Sequence, residues 1–276
     1  MTINCRGQLL SLSSPVVMGI LNLTPDSFYD GGKLTGLDAA LAQAEKHLSE
    51  GATILDIGGM SSRPGAEIID PQEEQERVLP VVKVLVKQFP KALLSIDTLH
   101  SAVANACLHE GAHLINDISA ACYNSDMAAT VARHKAPIII MHMQGMPATM
   151  QQNPHYNNVV TEVAAFLGER ITALQQSGIN DIIIDPGFGF GKTLQHNYTL
   201  LNNLHYFTHL HVPLLAGISR KGMLYRLLGT TADEALNATT VANTMALMNG
   251  ANMLRVHDVK PAMEAVKLFN AYSGLI

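Results

Sequence analysis

The chain has 276 residues, 47% of them hydrophobic, and a formal net charge of −5. That is enough apolar content for one large core, and the acidic balance argues against a general nucleic-acid or anionic-membrane binder. The apolar runs are too short to span a bilayer, the N-terminal stretch lacks the apolar centre of a secretory signal, and the three cysteines have no CxxC spacing. A reduced, cytoplasmic protein with no disulfide framework and no thiolate metal site is expected.

Val16 to Leu21 is an apolar run of strand length that stops at a polar amide, Asn22. Thr24-Pro25-Asp26-Ser27 and Gly31-Gly32 follow as loop residues. Thr35 is a candidate cap for a helix with Leu37, Leu41, Ala44 and Leu48 on one face, closed by Gly51. The same plan then repeats. A strand over Thr53 to Ile57 leads into the loop from Gly58 to Gly65, and Asp70-Pro71-Gln72-Glu73 reads as the start of a helix running to about Phe89. Strands are expected over Leu93 to Ile96, His113 to Ile115, Ile138 to Met141, Asp181 to Ile184, Val212 to Ala216 and Asn252 to Leu254. Helices are expected over Ser101 to Glu110, Met127 to His134, Asn157 to Gln176 and Leu194 to Phe207, from a capping box at Thr231-Ala232-Asp233-Glu234 to Met248, and from Pro261 onward. Short apolar strands alternating with helices imply parallel pairing, and this many units imply a (β/α)₈ TIM barrel. The expected organisation is a single domain over 1–276, with the barrel beginning at about residue 15. An open doubly wound sheet is the alternative, and it would leave apolar faces at its edges.

Two literal motif matches fail on context. His109-Glu110-Gly111-Ala112-His113 has the HExxH spacing, but Gly111 reads as a helix end and His113 as a strand start, so both histidines are expected at the surface. Residues 186–193, PGFGFGKT, approach a P-loop, but Pro186 stands where the first glycine belongs and offers no N–H to a phosphate. The better reading is a glycine-hinged wall with Phe188 and Phe190 as flat faces for a ring.

Asp97, Asn116 and Asp185 each end a strand, so a barrel would gather them at its C-terminal face. Buried carboxylates need donors. Lys221 offers charge, and a pterin or guanine-like ring with N–H and NH₂ groups would supply the rest. Arg255, His257 and Arg63 offer a cationic side suited to phosphate, unless Arg255 is instead tied to Asp258 on the rim. Asn22 offers one oxygen to a hard cation such as Mg²⁺, which would have to arrive with a diphosphate.

The segments GILNLTPDSFYDGG, DIGGMSSRPGA, SIDT, INDISA, MHMQGMPATMQ, DPGFGFGK, SRK and RVHDV, in this order and over about Val16 to Phe269, resemble the dihydropteroate synthase family. The resemblance implies a homodimeric barrel that joins 6-hydroxymethyl-7,8-dihydropterin diphosphate to 4-aminobenzoate in folate biosynthesis, assisted by Mg²⁺ and inhibited by sulfonamides. By position it implies Asp97, Asn116, Asp185 and Lys221 as the pterin set. It implies Asn22, Arg63, Arg255 and His257 as the diphosphate and Mg²⁺ set, with Arg255, His257, Arg63, Lys221 and Asp97 as catalytic residues. Phe28, Ser61, Ser62, Pro64, Phe190 and Ser219, beside Arg63, would shape the aminobenzoate pocket. The chain departs from the family pattern at Met60, Ser62 and Gly222, where glutamate, threonine and serine are usual. Two other readings belong to the same fold: a non-catalytic pterin-binding paralogue, and a barrel that moves a methyl group from a folate to a corrinoid partner.

Overall fold

A computed structural model describes residues 1–23, 36–61 and 65–275. Eight strands form one parallel sheet, in the order β8-β7-β6-β5-β4-β3-β10-β9. They are β3 (Val16–Asn22), β4 (Ile54–Gly58), β5 (Leu93–Asp97), β6 (Leu114–Asp117), β7 (Ile138–Met141), β8 (Ile182–Asp185), β9 (Leu215–Ala216) and β10 (Met253–Val256). A parallel bridge between Ile184 and Leu214 joins the two ends, with Ile184 N donating to Pro213 O at 2.9 Å. The sheet is therefore a closed barrel, as the alternating pattern implied, and the open-sheet alternative is excluded.

Helices α1 (Gly36–Ser49), α2 (Pro71–Gln88), α3 (Ser101–His109), α4 (Met127–His134), α5 (Val159–Gln176), α6 (Leu194–Asn202), α7 (Gly222–Leu228), α8 (Leu236–Met248) and α9 (Val259–Tyr272) surround it. Helix α2 starts as its sequence predicts. Pro71 fills the first turn, and the Asp70 side chain accepts from Gln72 N at 2.8 Å. Glu73 turns forward to Arg77 rather than back to the cap. The predicted cap Thr35 lies outside the described residues.

Several boundaries differ from the sequence reading for local reasons. The expected helix from Leu194 ends at Asn202 and continues as a 3₁₀ turn, Leu204–Leu210. Thr231 and Glu234 do bond to each other, with Thr231 N donating to Glu234 Oε2 at 3.2 Å, but they close a turn and α8 begins only at Leu236. The sequence reading also missed α7, and it missed an antiparallel hairpin before the barrel, β1 (Thr2–Cys5) with β2 (Gln8–Ser11). That hairpin places Ile3, Cys5 and Leu10 against the lowest interior layer: Met18, Ile54, Leu93, Leu114, Ile139, Ile183, Leu215 and Met253, one side chain per strand. Asn4 N donates to Asp181 Oδ1 at 3.0 Å, and Arg6 Nη1 donates to Leu108 O and Ala112 O at 2.6 Å, so the floor is pinned on two sides. A larger apolar layer between strands and helices includes Leu55, Ile57, Val78, Leu94, Ile115, Ile184 and Leu254.

Cys5, Cys107 and Cys122 are free thiols. Among the described residues no helix is long and apolar enough to cross a membrane. Helix α3 ends at His109 and Gly111 has φ +109°, so the HExxH match is split between a helix end and a strand start. His113 is half-buried rather than on the surface, its Nδ1 accepting from Leu94 N at 3.1 Å.

Candidate active site

Strand side chains alternate between faces with a period of two. Two residues above the apolar floor the interior positions become Ile20, Asp56, Ser95, Asn116, Met141, Asp185, Gly217 and Arg255. The barrel interior thus changes from fully apolar to strongly polar within one layer. One layer higher still lie Asn22, Asp97 and His257, at the C-terminal mouth where barrels of this kind carry their chemistry.

Arg255 ties this layer together. Its Nε donates to Asp56 Oδ2 and its Nη2 to Asp97 Oδ2, each at 2.6 Å. Asn116 Nδ2 donates to the same Asp56 oxygen at 3.0 Å. Asp258, the rim partner considered for Arg255, pairs with Arg220 instead, Nε to Oδ2 at 2.7 Å and Nη2 to Oδ1 at 3.0 Å. Arg255 is therefore part of the interior. Burial works against its charge, but Asp56 and Asp97 outweigh that and hold the guanidinium above its ordinary value. Asp56 is fully buried and was missed by sequence reasoning. The available signal was its parity: an acid two residues after Ile54 inside an apolar strand must face the barrel interior.

Asp97 is pushed up to about 7 by burial, with Arg255 opposing and the nearby carboxylates of Asp56 and Asp117 adding to the rise. Asp185 is likewise raised by burial and opposed by Lys221, and its Oδ1 accepts from Gly187 N at 2.7 Å. Lys221 precedes α7, is lowered to about 8 by burial, and donates to Phe188 O. Its ammonium lies 4.6 Å from the centroid of the Phe190 ring. Asp56 Oδ1 and Ser95 Oγ are buried without a hydrogen-bond partner. Buried polar atoms without partners are uncommon, and these two lie in the same interior layer as Asn116, Asp185 and Arg255.

At the rim, Ser219 Oγ lies 3.2 Å from His257 Nδ1 and accepts from His257 N at 3.2 Å. An apolar lining of Leu99, Ile118, Met141, Met150 and Phe190, with Met60, Ile68 and Met143 packed against it, borders the polar set. Gly65 N donates to Pro147 O at 3.0 Å, joining the loop after β4 to the segment after β7. The structure thus gathers Asn116, Asp185 and Arg255 in one layer, sets Asn22, Asp97 and His257 in the layer above, with Ser219 bonded to His257, and keeps Phe190 beside Lys221. Ser61 is described at the end of its loop; Phe28, Ser62, Arg63 and Pro64 lie outside the described residues.

A barrel whose mouth pairs buried carboxylates with an arginine and a lysine is built to hold a polar, donor-rich ring, and residues 18–257 match the family model of pterin binding enzymes. The chain is also 44% identical to the dihydropteroate synthase of Haemophilus influenzae, over 98% of both chains. Among solved structures, it resembles the Yersinia pestis dihydropteroate synthase in a sulfonamide drug complex, at a TM-score of 0.94 and 44% identity, covering 99% of this chain and 100% of that one. The Xanthomonas albilineans dihydropteroate synthase with 4-aminobenzoic acid gives a TM-score of 0.93 and 41% identity, covering 99% and 98%. The class is that of the pterin-binding TIM-barrel enzymes. Within it, this chain belongs to the dihydropteroate synthase family.

Proposed function

We propose that the chain condenses 6-hydroxymethyl-7,8-dihydropterin diphosphate with 4-aminobenzoate to give 7,8-dihydropteroate and diphosphate. The observation that carries this reading is the buried set of Asp56, Asp97, Asn116, Asp185, Lys221 and Arg255, with Asp56 Oδ1 and Ser95 Oγ left unpartnered. A pterin edge brings N–H and NH₂ donors for the carboxylates and ring acceptors for Lys221 and the Asn116 amide.

The proposed chemistry is a dissociative substitution at the exocyclic methylene. Its C–O bond breaks, the electron pair leaves with diphosphate, and the electron-rich dihydropterin carries the resulting cation beside Asp97 and Asp185. The lone pair of the arylamine then forms the C–N bond, and that nitrogen releases a proton. Arg255, His257 and Arg63 take up the charge developing on diphosphate. Phe28, Ser61, Ser62, Pro64, Phe190 and Ser219, all assigned by resemblance, place the amine and keep water from the cation.

Among the described residues no cluster of His, Cys, Asp and Glu side chains forms a metal cage. The amide of Asn22 at the end of β3 is a neutral oxygen donor. That donor set fits a Mg²⁺ ion that arrives bound to diphosphate oxygens, with Asn22 as its protein ligand. When bound, such an ion would stabilise the leaving diphosphate.

The chain is proposed to act as one domain, residues 1–276, and as a homodimer. Helix α8 buries Thr239, Ala242, Asn243 and Ala246, yet leaves Val241, Met245 and Met248 exposed on its other side, with Leu227 and Leu228 of α7 exposed as well. A helix apolar on both sides is expected to be covered on both, and a second copy is the occupant that the family resemblance implies.

The test is to mix the protein with dihydropterin diphosphate, 4-aminobenzoate and Mg²⁺ and follow diphosphate and dihydropteroate by mass. Matched formation of both supports the reading. Tight pterin diphosphate binding without release of diphosphate would overturn it in favour of a non-catalytic pterin-binding protein.

A further inference from the structure

Residues 187–191, GFGFG, have positive φ at all three glycines: +72° at Gly187, +85° at Gly189 and +63° at Gly191. A Cβ at Gly187 would lie 2.0 Å from His142 O, and one at Gly191 would lie 2.3 Å from Gln144 O. The turn therefore rests backbone on backbone against the segment that follows β7. Its successive carbonyls each take a side-chain donor from a different place. Lys221 Nζ donates to Phe188 O, Gln151 Nε2 to Gly189 O, Lys192 Nζ to Phe190 O at 3.0 Å and Tyr156 OH to Gly191 O at 2.8 Å.

Lys192 is the unexpected member. It is 3% exposed, and its hydrogen-bond acceptors are all neutral: Phe190 O, His142 O at 3.3 Å and His142 Nδ1 at 3.0 Å. Burial lowers Lys192 to about 7, with the charge of Asp185 opposing that shift, and the condensation gives the amine no chemical step. The His142 ring is itself wedged edge-on against Phe166, centroids 5.1 Å apart, and packs on Tyr156 at 6.0 Å. Burial, with Lys192 adding to it, lowers His142 to about 3, so its Nδ1 is available to accept.

We infer that Lys192 is a positioning residue for the condensation: seated on His142, it fixes the Phe190 carbonyl and so the ring that walls the aminobenzoate side of the site. The inference rests on the assignment of Phe190 to that wall. It accounts for the lysine of the glycine-rich motif without any phosphate, because the ammonium points into the turn that carries it rather than out to a ligand.

The test compares Lys192→Met, Lys192→Gln, Tyr156→Phe and Phe190→Ala in the full-length protein, reading KM for each substrate and the ratio of diphosphate to dihydropteroate. Lys192→Met is expected to raise the aminobenzoate KM about tenfold, hold the pterin diphosphate KM within about threefold, and release diphosphate in excess of dihydropteroate. Lys192→Gln, which keeps N–H donors, recovers part of the loss. If Lys192→Met does not fold, Lys192→Gln carries the test and is expected to show the same split, at about threefold, with Tyr156→Phe reporting on the Gly191 end of the turn. Equal changes in both KM values, or none, while Phe190→Ala raises the aminobenzoate KM, would reduce Lys192 to a purely structural residue and leave the proposed function standing. An unchanged aminobenzoate KM in Phe190→Ala would remove the wall assignment and the inference together.

Discussion

Arg255 and Asp97 stand 158 positions apart in the chain and meet inside the barrel mouth, Nη2 to Oδ2 at 2.6 Å. The same guanidinium holds the fully buried Asp56. Removing it would strand two carboxylates that the interior cannot solvate, and losing one partner of a buried pair typically costs about 3–5 kcal/mol. Arg255→Ala is therefore expected to lose stability on that scale in urea unfolding, and to lose turnover by at least about a thousandfold as leaving-group stabilisation disappears. Adding Asp97→Asn should restore part of the stability but none of the turnover. Strict additivity of the two stability changes would show that the pair is not coupled.

Glu74, in the first turn of α2, is fully buried, accepts from Thr98 Oγ1 at 2.8 Å through Oε2, and has no partner at Oε1. Burial pushes it up to about 7. A carboxyl raised on folding binds its proton more tightly in the native state, so stability falls as pH rises from its ordinary value of 4.5 toward about 7 and is level above that. Asp97, also raised to about 7, acts in the same direction. The lowered histidines, His142 among them, act in the opposite direction below about pH 6.5, so the test is the difference between two proteins: Glu74→Gln should gain melting temperature relative to the wild type as pH rises from 5 to 7.5. Identical slopes in thermal melts of the two proteins would assign the pH dependence elsewhere.

How far the site was legible depended on where each side chain falls in its strand. Asp97, Asn116 and Asp185 were readable because each breaks an apolar run at its end. Asp56 has the same chemistry but lies within Ile54–Gly58, where an apolar neighbour on either side hides it. The N-terminal hairpin was hidden by its brevity, although Ile3, Cys5 and Leu10 alternate around an Arg6-Gly7 turn with positive φ at both residues. Lys192 was given no role in sequence, because spacing records which residues are near in the chain, not which way a side chain points. Phe28, Ser62 and Pro64 rest on the resemblance alone, while Arg63 was legible as a cation in the loop after β4.

Lys221 is lowered to about 8 by burial, with Asp185 opposing that shift and Arg255 adding to it. Its charged form is the one that can donate to a pterin acceptor and offset Asp185. The apparent kcat/KM for dihydropterin diphosphate should thus fall as pH rises through about 8. Lys221→Arg keeps a charge that does not titrate in this range, so the alkaline limb should move up while the plateau drops. A limb left in place in that variant would assign it to another group.

Asn22 ends β3 partly exposed at the barrel mouth. As the proposed protein ligand of a diphosphate-borne Mg²⁺, it would matter to the metal requirement more than to the pterin. Asn22→Ala is expected to raise the Mg²⁺ concentration for half-maximal rate by about tenfold while calorimetric pterin affinity without diphosphate stays the same, the scale expected from losing one oxygen ligand of a hard cation. Loss of both together would mean that Asn22 shapes the ring pocket instead.

Three exposed apolar residues of α8, Val241, Met245 and Met248, recur at helical spacing opposite the buried Thr239, Ala242, Asn243 and Ala246. Side chains three and four apart share a helix face, so the three form one stripe, and Leu227 and Leu228 of α7 add exposed apolar surface. A charge at the centre of such a stripe has no cost in a monomer, where water solvates it, but a large one in a dimer, where the same side chain meets its symmetry mate. Met245→Glu is therefore expected to convert a dimer to a monomer in sedimentation while leaving the circular dichroism spectrum unchanged. The pterin set lies at the barrel mouth, away from this helix face, so the monomer should still bind dihydropterin diphosphate. A wild type that sediments as a monomer across the micromolar range would remove the dimer proposal without touching the active site.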